Sequence, residues 1–305
     1  MFDTIGTYYQ TNEALQTIRY LSDINENTNV QSGEITTYGK IKNLRVKVKG
    51  DFLSINGSLP KYLFGDNVQE LTRKHTQEAI ECLSDELHLP IDNSKLFRID
   101  IASNFIMKEP LKKYYSALGS LARYQKIPQR NGILFTLKSK TALEFYDKNK
   151  ELVRTKQIIP EIFQGRNVLR YEIHLLKRLP NIFKQDVLAN DLYNEKFYIK
   201  AVDIWKERYF MIKKNRVLTF NPEALPMLDT KTILNELALI GMEKVGGKDE
   251  LLRMLELERH KFSKMQFKRI KDKINSISEL PELTEINDSI KELDSKIIQR
   301  AKYYR

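Results

Sequence analysis

The sequence predicts an α+β fold: an antiparallel sheet flanked by helices, followed by an all-helical C-terminal domain. Three observations lead there. Residues 97–101, 143–148 and 169–175 alternate apolar and polar side chains with the period of two that a half-buried strand requires. The first 65 residues consist of short alternating runs separated by turn residues. After Pro180 the apolar spacing becomes helical. A chain of 305 residues has room for one large domain or two. Asn221-Pro222 is the strongest boundary signal, which divides the chain into 1–220 and 221–305.

Residues 43–49 alternate cleanly, Gly50-Asp51 turns the chain, and 52–57 return, so a hairpin is expected, ended by Ser58-Leu59-Pro60. A helix is expected over 66–87, where Val68, Leu71, Ala79, Leu83 and Leu87 lie near helical spacing and Pro90 follows. The strand holding Arg98 comes next, and Pro110 opens a helix carrying Tyr114, Leu118 and Leu121. A turn at 129–132 precedes a hairpin made of 133–137, a turn at 138–141 and the strand holding Tyr146. Glu151 falls just beyond, on a short helix expected to end near Pro160. The strand holding Glu172 follows Gln164-Gly165-Arg166 and is closed by Pro180. Helices are then expected over 181–192, 195–213, 231–243, 248–277 and 288–303, with Gly246-Gly247 and Pro281 as separators.

Charge narrows the partners. The net charge is +11, and residues 108–178 hold sixteen Lys and Arg against six Asp and Glu. Phosphate neutralisation by Lys and Arg supplies most non-specific affinity for nucleic acid, so this clustering points to a DNA surface. Its candidate contacts are Lys112, Lys113, Arg123, Lys126, Arg130, Lys138, Lys140, Lys177 and Arg178. Tyr114, Tyr115 and Tyr124 could stack on bases or pack in the core. A second basic run, 259–273, has seven Lys and Arg against one acid; a solvated helix face is its default account and a second DNA contact the sharper one. No apolar run reaches membrane-spanning length, and the N-terminus lacks a signal-peptide pattern. The lone Cys82 excludes an internal disulfide and a cysteine metal cage, so a reducing cytoplasm is expected. A Walker-type phosphate loop is absent.

The polar strand faces hold the chemistry. Alternation alone describes any half-exposed antiparallel sheet, whose charges are normally just solvated. Here three strands repeat an acid beside a base. Arg98 and Asp100 share one face, as do Glu144, Tyr146 and Lys148, and Arg170, Glu172 and His174. A phenol is a poor nucleophile near neutrality unless its phenolate is stabilised. Lys148, two residues from Tyr146, could lower its pKa by Coulombic attraction. Asp100, Glu151 and Glu172 form an oxygen-rich set suited to Mg²⁺ or Mn²⁺. Arg98 or Arg170 could hold a phosphate or merely pair with the acids. Of 15 tyrosines, Tyr146 is in phase with these groups and Tyr171 is out of phase; Tyr193, Tyr198 and Tyr209 remain open. His174 could be a ligand, a base or a surface histidine.

The blocks Gly57-Ser58-Leu59-Pro60-Lys61, Arg98-Ile99-Asp100-Ile101-Ala102, Phe145-Tyr146-Asp147-Lys148-Asn149-Lys150-Glu151 and Leu169-Arg170-Tyr171-Glu172, the last with Lys177-Arg178, resemble in order and spacing the phage replication initiators typified by the gene II protein of filamentous phages. The resemblance spans residues 1–200. It implies a replication-initiator or relaxase-like domain that nicks and rejoins one DNA strand at an origin, with a divalent metal, in rolling-circle replication. Tyr146 falls on the family's nucleophile, with Lys148 and Glu151 in its Tyr-x-Lys-x-x-Glu pattern. Asp100 and Glu172 fall on its Arg-Ile-Asp and Arg-aromatic-Glu acids. The implied product is a 5′-phosphotyrosine link and a free 3′ hydroxyl. The implied partner is origin DNA, single-stranded or locally melted, with host helicase and polymerase as further candidates in the bacterial cytoplasm. No His-hydrophobic-His pair is present, and His174 stands where a basic residue is expected. A non-catalytic repressor or copy-control protein using the same basic surface is the alternative from another class.

Overall fold

The computed structural model describes residues 1–138, 141–176, 179–215, 229–245, 247–277 and 288–304. Lys140, Lys177, Arg178, Gly246, Pro281 and the boundary at 220–221 lie outside them. The strands are β1 (Phe2–Gln10), β2 (Ser22–Thr28), β3 (Ile35–Ile41), β4 (Leu44–Lys49), β5 (Phe52–Ser58), β6 (Lys95–Met107), β7 (Gln125–Gln129), β8 (Gly132–Leu137), β9 (Thr141–Asp147) and β10 (Asn167–Leu176). The α-helices are α1 (Leu59–Phe64), α2 (Arg73–Leu87), α3 (Leu111–Ala117), α4 (Lys148–Arg154), α5 (Leu179–Phe183), α6 (Glu195–Phe210), α7 (Thr230–Lys244), α8 (Lys248–Leu257), α9 (Lys264–Ile277) and α10 (Asp288–Tyr303). The fold is therefore the α+β class the alternation predicts, with a helical C-terminal region.

One ten-stranded antiparallel sheet runs in the order β2-β3-β4-β5-β1-β6-β10-β9-β8-β7. The hairpin of β4 and β5 turns at Gly50, whose φ of 57° is left-handed and free of strain only for glycine. Pro128 sits in β7, an edge strand, where a missing N–H costs no ladder bond. Central β6 and β10 have two faces of different character. Ile99, Ile101, Phe105, Tyr171, Ile173 and Leu175 are buried on one. Helix α6 supplies the aromatic wall against it: Tyr171 donates its hydroxyl to the Trp205 carbonyl at 3.1 Å, and Phe105 stacks on Trp205. Tyr198 and Tyr209 of α6 are buried too, which makes them packing residues.

Several expected helices differ, each for a local reason. Helix α3 ends at Ala117, since Leu118 bridges to Lys214, so Leu118 and Leu121 lie outside it, and α4 ends at Arg154, short of Pro160. Residues 66–72 are not helical: Asp66 Oδ1 accepts from the Val68 amide at 2.8 Å, and Thr72 and His75 form a capping box that starts α2 at Arg73. The expected helix over 181–192 is instead the short α5, a left-handed Lys184 and a 3₁₀ turn at Ala189–Tyr193. There the Val187 carbonyl accepts from the Leu96 amide, so backbone pairing with β6 overrides helical spacing. The long helix over 248–277 is two helices, α8 and α9. Ser263 and Gln266 exchange side-chain bonds with each other's amides and restart the helix.

Two compact units result, each assembled from separated stretches. One comprises Met1–Met107, Arg123–Tyr209 and Lys296–Arg305, and holds the whole sheet. Its C-terminal stretch is tied in by Arg300, which donates to Glu70 at 2.8 Å. The other comprises Lys108–Ala122 and Phe210–Ser295. Within it Met242, Ile274 and Ile277 form a small core joined by Leu251, Leu255 and Ile270, so α7, α8 and α9 pack on one another.

Candidate active site

Register creates a grid on the second face of the sheet. Across β9, β10 and β6, Tyr146 pairs with Arg170 and Arg170 with Asn104. One step along, Glu144 pairs with Glu172 and Glu172 with Ala102; one step further, Ala142 pairs with His174 and His174 with Asp100. Because side chains alternate faces, all nine stand on the same side. Ala102 and Ala142 leave room beside the larger groups. In β8, Gly132 opposes Tyr146 and sits against the Phe145 carbonyl where a Cβ has no space, which lets β8 hold the Tyr146 strand closely.

Arg170 is the hub of this face. It is 2% exposed and donates to Asp3 at 2.6 Å, to Glu172 at 3.2 Å and to Asn104 Oδ1 at 3.2 Å. Asp3 in turn accepts from Ser58 at 2.6 Å, and Ser58 also caps α1. Tyr146 donates its hydroxyl to Glu172 at 3.3 Å. Arg98 grips Asp100 through two nitrogens, with Nε 3.0 Å from Oδ1. His174 lies between acids: Nδ1 is 3.0 Å from Asp100 as an ion-pair contact without hydrogen-bond alignment, and Nε2 is 3.3 Å from Glu144. One ligand atom each from Asp100, Glu172 and His174 lies within 4.8 Å of the others.

Lys148 does not continue the Tyr146 strand as the alternation predicts. The strand ends at Asp147, whose carboxylate caps α4 by accepting from the Lys150 amide at 3.1 Å. Lys148 is therefore the first helical residue, so strand alternation does not set its direction. It is fully buried, and its ammonium donates to Asn67 at 2.8 Å and to Glu151 at 2.7 Å. Burial, aided by Arg170, lowers its pKa to about 8. Glu151 pairs with Lys148, and the described residues that could hold a metal ion together are Asp100, Glu172 and His174.

Burial pushes the Tyr146 phenol well above its usual pKa, and Glu172, Glu151 and Asp3 add to this against the opposing charge of Arg170. The foremost cation favouring the phenolate is thus Arg170. Burial also raises the Glu172 carboxyl, with Arg170 pulling the other way. For His174, burial disfavours the cation, yet Asp100, Glu144 and Glu172 outweigh it and hold its pKa well above the usual value. Asp3 is the reverse: burial would raise it, but Arg170 and the Ser58 hydroxyl hold it low.

The two guanidiniums separate clearly. Arg170 is enclosed and fully engaged, whereas the Arg98 side chain keeps 28% exposure and can meet a ligand from solvent. Asp3, Ser58, Asn67 and Asn104 escaped the sequence reading as site residues. Ser58 lay inside a quoted block without a role, and Asn67 inside a segment expected to be helical. Tyr171 is buried against Phe145 and Trp205, as its phase requires. Of the basic DNA candidates, Lys112 and Lys113 lie on exposed positions of α3, with Lys113 paired to Glu109. Arg123, Arg130 and Lys138 are exposed and Lys126 half-exposed in the sheet-containing unit. Tyr114 is buried and bonded to Glu292, so it packs rather than stacks on bases.

The ten-stranded antiparallel sheet thus presents acids, guanidiniums and a phenol on one face. The family described as the N-terminal part of the phage replication-associated gene II protein matches residues 11–207, more than half of the chain, and the chain belongs to that family. No curated protein matches the chain. A role in phage replication follows from the family. Among the described residues, no helix is long and apolar enough to cross a membrane.

Proposed function

We propose that the chain is the initiator of rolling-circle replication, nicking and rejoining one DNA strand at an origin through Tyr146, with the catalytic domain in residues 1–220. The observation that carries this reading is the Tyr146 hydroxyl donating to Glu172 within a buried cluster of Asp100, Glu172 and His174. As the phenol oxygen attacks the scissile phosphorus, its proton passes to the Glu172 carboxylate, whose raised pKa suits a base. The bond from phosphorus to the 3′ oxygen breaks, leaving a 5′-phosphotyrosine and a 3′ hydroxyl once that oxygen takes up a proton. Rejoining reverses these bonds. Arg98, partly exposed beside Asp100, orients the phosphate. Arg170 fixes Glu172 and offsets charge on the phenolate. Lys148, neutralised by Glu151, ties α4 to Asn67 and so fixes the helix that follows the Tyr146 strand. The exposed basic residues 112, 113, 123, 130 and 138, with the half-exposed Lys126, hold the DNA backbone.

The donor set fits a divalent cation: two carboxylates and an imidazole within reach of one point, more suited to Mn²⁺ than a purely oxygen set would be. Such an ion, when bound, polarises a non-bridging phosphate oxygen. Asp100→Asn or Glu172→Gln should weaken Mn²⁺ binding by on the order of 100-fold or more, measured by calorimetry. Because His174 must lose its proton to act as a ligand, Mn²⁺ affinity should fall as pH falls. Glu151→Gln should leave Mn²⁺ binding close to wild type; a loss equal to that of Asp100→Asn would restore Glu151 to the ligand set. The whole reading is tested by incubating the protein with supercoiled origin DNA with and without Mg²⁺. Nicked circles carrying covalently attached protein are expected only with the ion. A protein that shifts this DNA without ever nicking it is a binding factor instead.

A further inference from the structure

Cations on α9 differ from those on α8 and the turn after it in their partners. On α8 and the turn after it, three cations pair with an acid three residues before them: Arg253 with Glu250, Arg259 with Glu256 and Lys261 with Glu258. On α9, Lys264, Lys268, Arg269, Lys271 and Lys273 are all exposed, and none has an acidic partner among the described residues. Several are set against one another. Lys264 and Lys268, and Arg269 and Lys273, are like charges four residues apart, a spacing that destabilises a helix by a few tenths of a kcal/mol per pair. Fold stability therefore does not explain them, and a polyanion laid along the helix would turn their repulsion into attraction.

Their arrangement names the polyanion. Phe267, Ile274 and Ile277 are buried and Ile270 half-buried on one side of α9, where Ile270, Ile274 and Ile277 pack against α7 and α8. At 3.6 residues per turn the remaining arc carries Lys264, Lys268 and Lys271 along one border and Arg269 and Lys273 along the other. Between these borders run Met265, Asp272 and Ser276, all exposed. The charged stretch is about 14 Å long at 1.5 Å per residue. A duplex major groove, about 12 Å wide between two rows of phosphates, admits one α-helix. Two rows of cations flanking a neutral-to-acidic strip match a helix seated in that groove, each row facing one phosphate rim. A single strand offers only one row.

We propose that α9 is a second DNA-binding element, a helix that seats in the major groove of duplex DNA independently of the chemistry at Tyr146. The test uses the full chain carrying Lys264→Gln, Lys268→Gln, Arg269→Gln and Lys273→Gln, titrated with salt against a duplex and against a single strand of the same sequence. Log affinity for the duplex should lose about 0.9 of slope against log salt for each contact removed. Duplex affinity near 0.1 M salt should fall roughly 100-fold or more, while single-strand affinity and cleavage of a single-stranded origin oligonucleotide stay at wild-type values. An unchanged duplex slope overturns the proposal, as does an equal loss on the single strand. The double variant Arg253→Gln, Arg259→Gln controls for net charge and should leave the slope in place; an equal effect from it also overturns the proposal. Melting of the quadruple variant should match or exceed wild type. Should it fall, Lys264→Gln with Lys268→Gln, and Arg269→Gln with Lys273→Gln, are titrated as separate pairs, each expected to show about half of the slope loss predicted for the quadruple variant.

Discussion

Tyr146→Phe should abolish nicking and the covalent protein–DNA adduct while leaving binding to origin DNA at the wild-type level. The substitution deletes one oxygen, which donates a single bond to Glu172 at 3.3 Å. The ring stays on β9 between Gly132 and Arg170, its cross-strand neighbours. A bond of that length contributes about 1 kcal/mol or less, so melting should scarcely move. Loss of the nucleophile removes the reaction path altogether, so turnover should drop by at least about 10⁴-fold, as for other nucleophiles acting with their partners as a unit. The measurement pairs a supercoil nicking assay with denaturing-gel detection of the adduct. An adduct that persists in the variant and maps to Tyr193 would relocate the nucleophile, since that residue is only half-buried in a 3₁₀ turn.

The largest effect on stability is expected from Arg170→Ala. Asp3 and Glu172 are both buried, and Arg170 is bonded to each of them. Removing the guanidinium leaves two buried carboxylates without the cation bonded to both, a situation that typically costs about 3–5 kcal/mol. Urea unfolding should show the midpoint falling with little change in slope. The deficit should also depend on pH in a definite direction. Asp3 is held below its unfolded value in the wild type, so its stabilising contribution exists above that value and is lost as pH falls through the folded pKa. In the variant, burial acts on Asp3 and Glu172 unopposed by Arg170 and raises both. They then take up protons at a higher pH, and the stability gap should narrow from neutral pH toward about pH 4. A loss below about 1 kcal/mol at neutral pH would show that water reaches these carboxylates and that Arg170 is not the hub described.

The sheet and its phase were legible because a period of two is a property of the chain itself. Arg98, Asp100, Tyr146, Arg170, Glu172 and His174 share one face for the same reason that Tyr171 does not. The family blocks were legible as spacing. The Ser263 and Gln266 pair that restarts α9 was also present in the sequence, as a serine followed three residues later by a glutamine. What the sequence by itself determined is therefore the fold class, the polar face and the residue types upon it. Only tertiary structure decided who pairs with whom. Lys148 looked like a strand residue beside Tyr146, but Asp147 caps a helix, and the burial of Lys148 demands Glu151 as counterion. His174 gained its place from register, because antiparallel pairing sets it opposite Asp100 across β6. Asp3 and Asn67 reach the site from 167 and 81 residues away from the groups they hold, Arg170 and Lys148. Periodicity reports which face a side chain takes, whereas the partner on that face is chosen by contacts between strands distant in the chain.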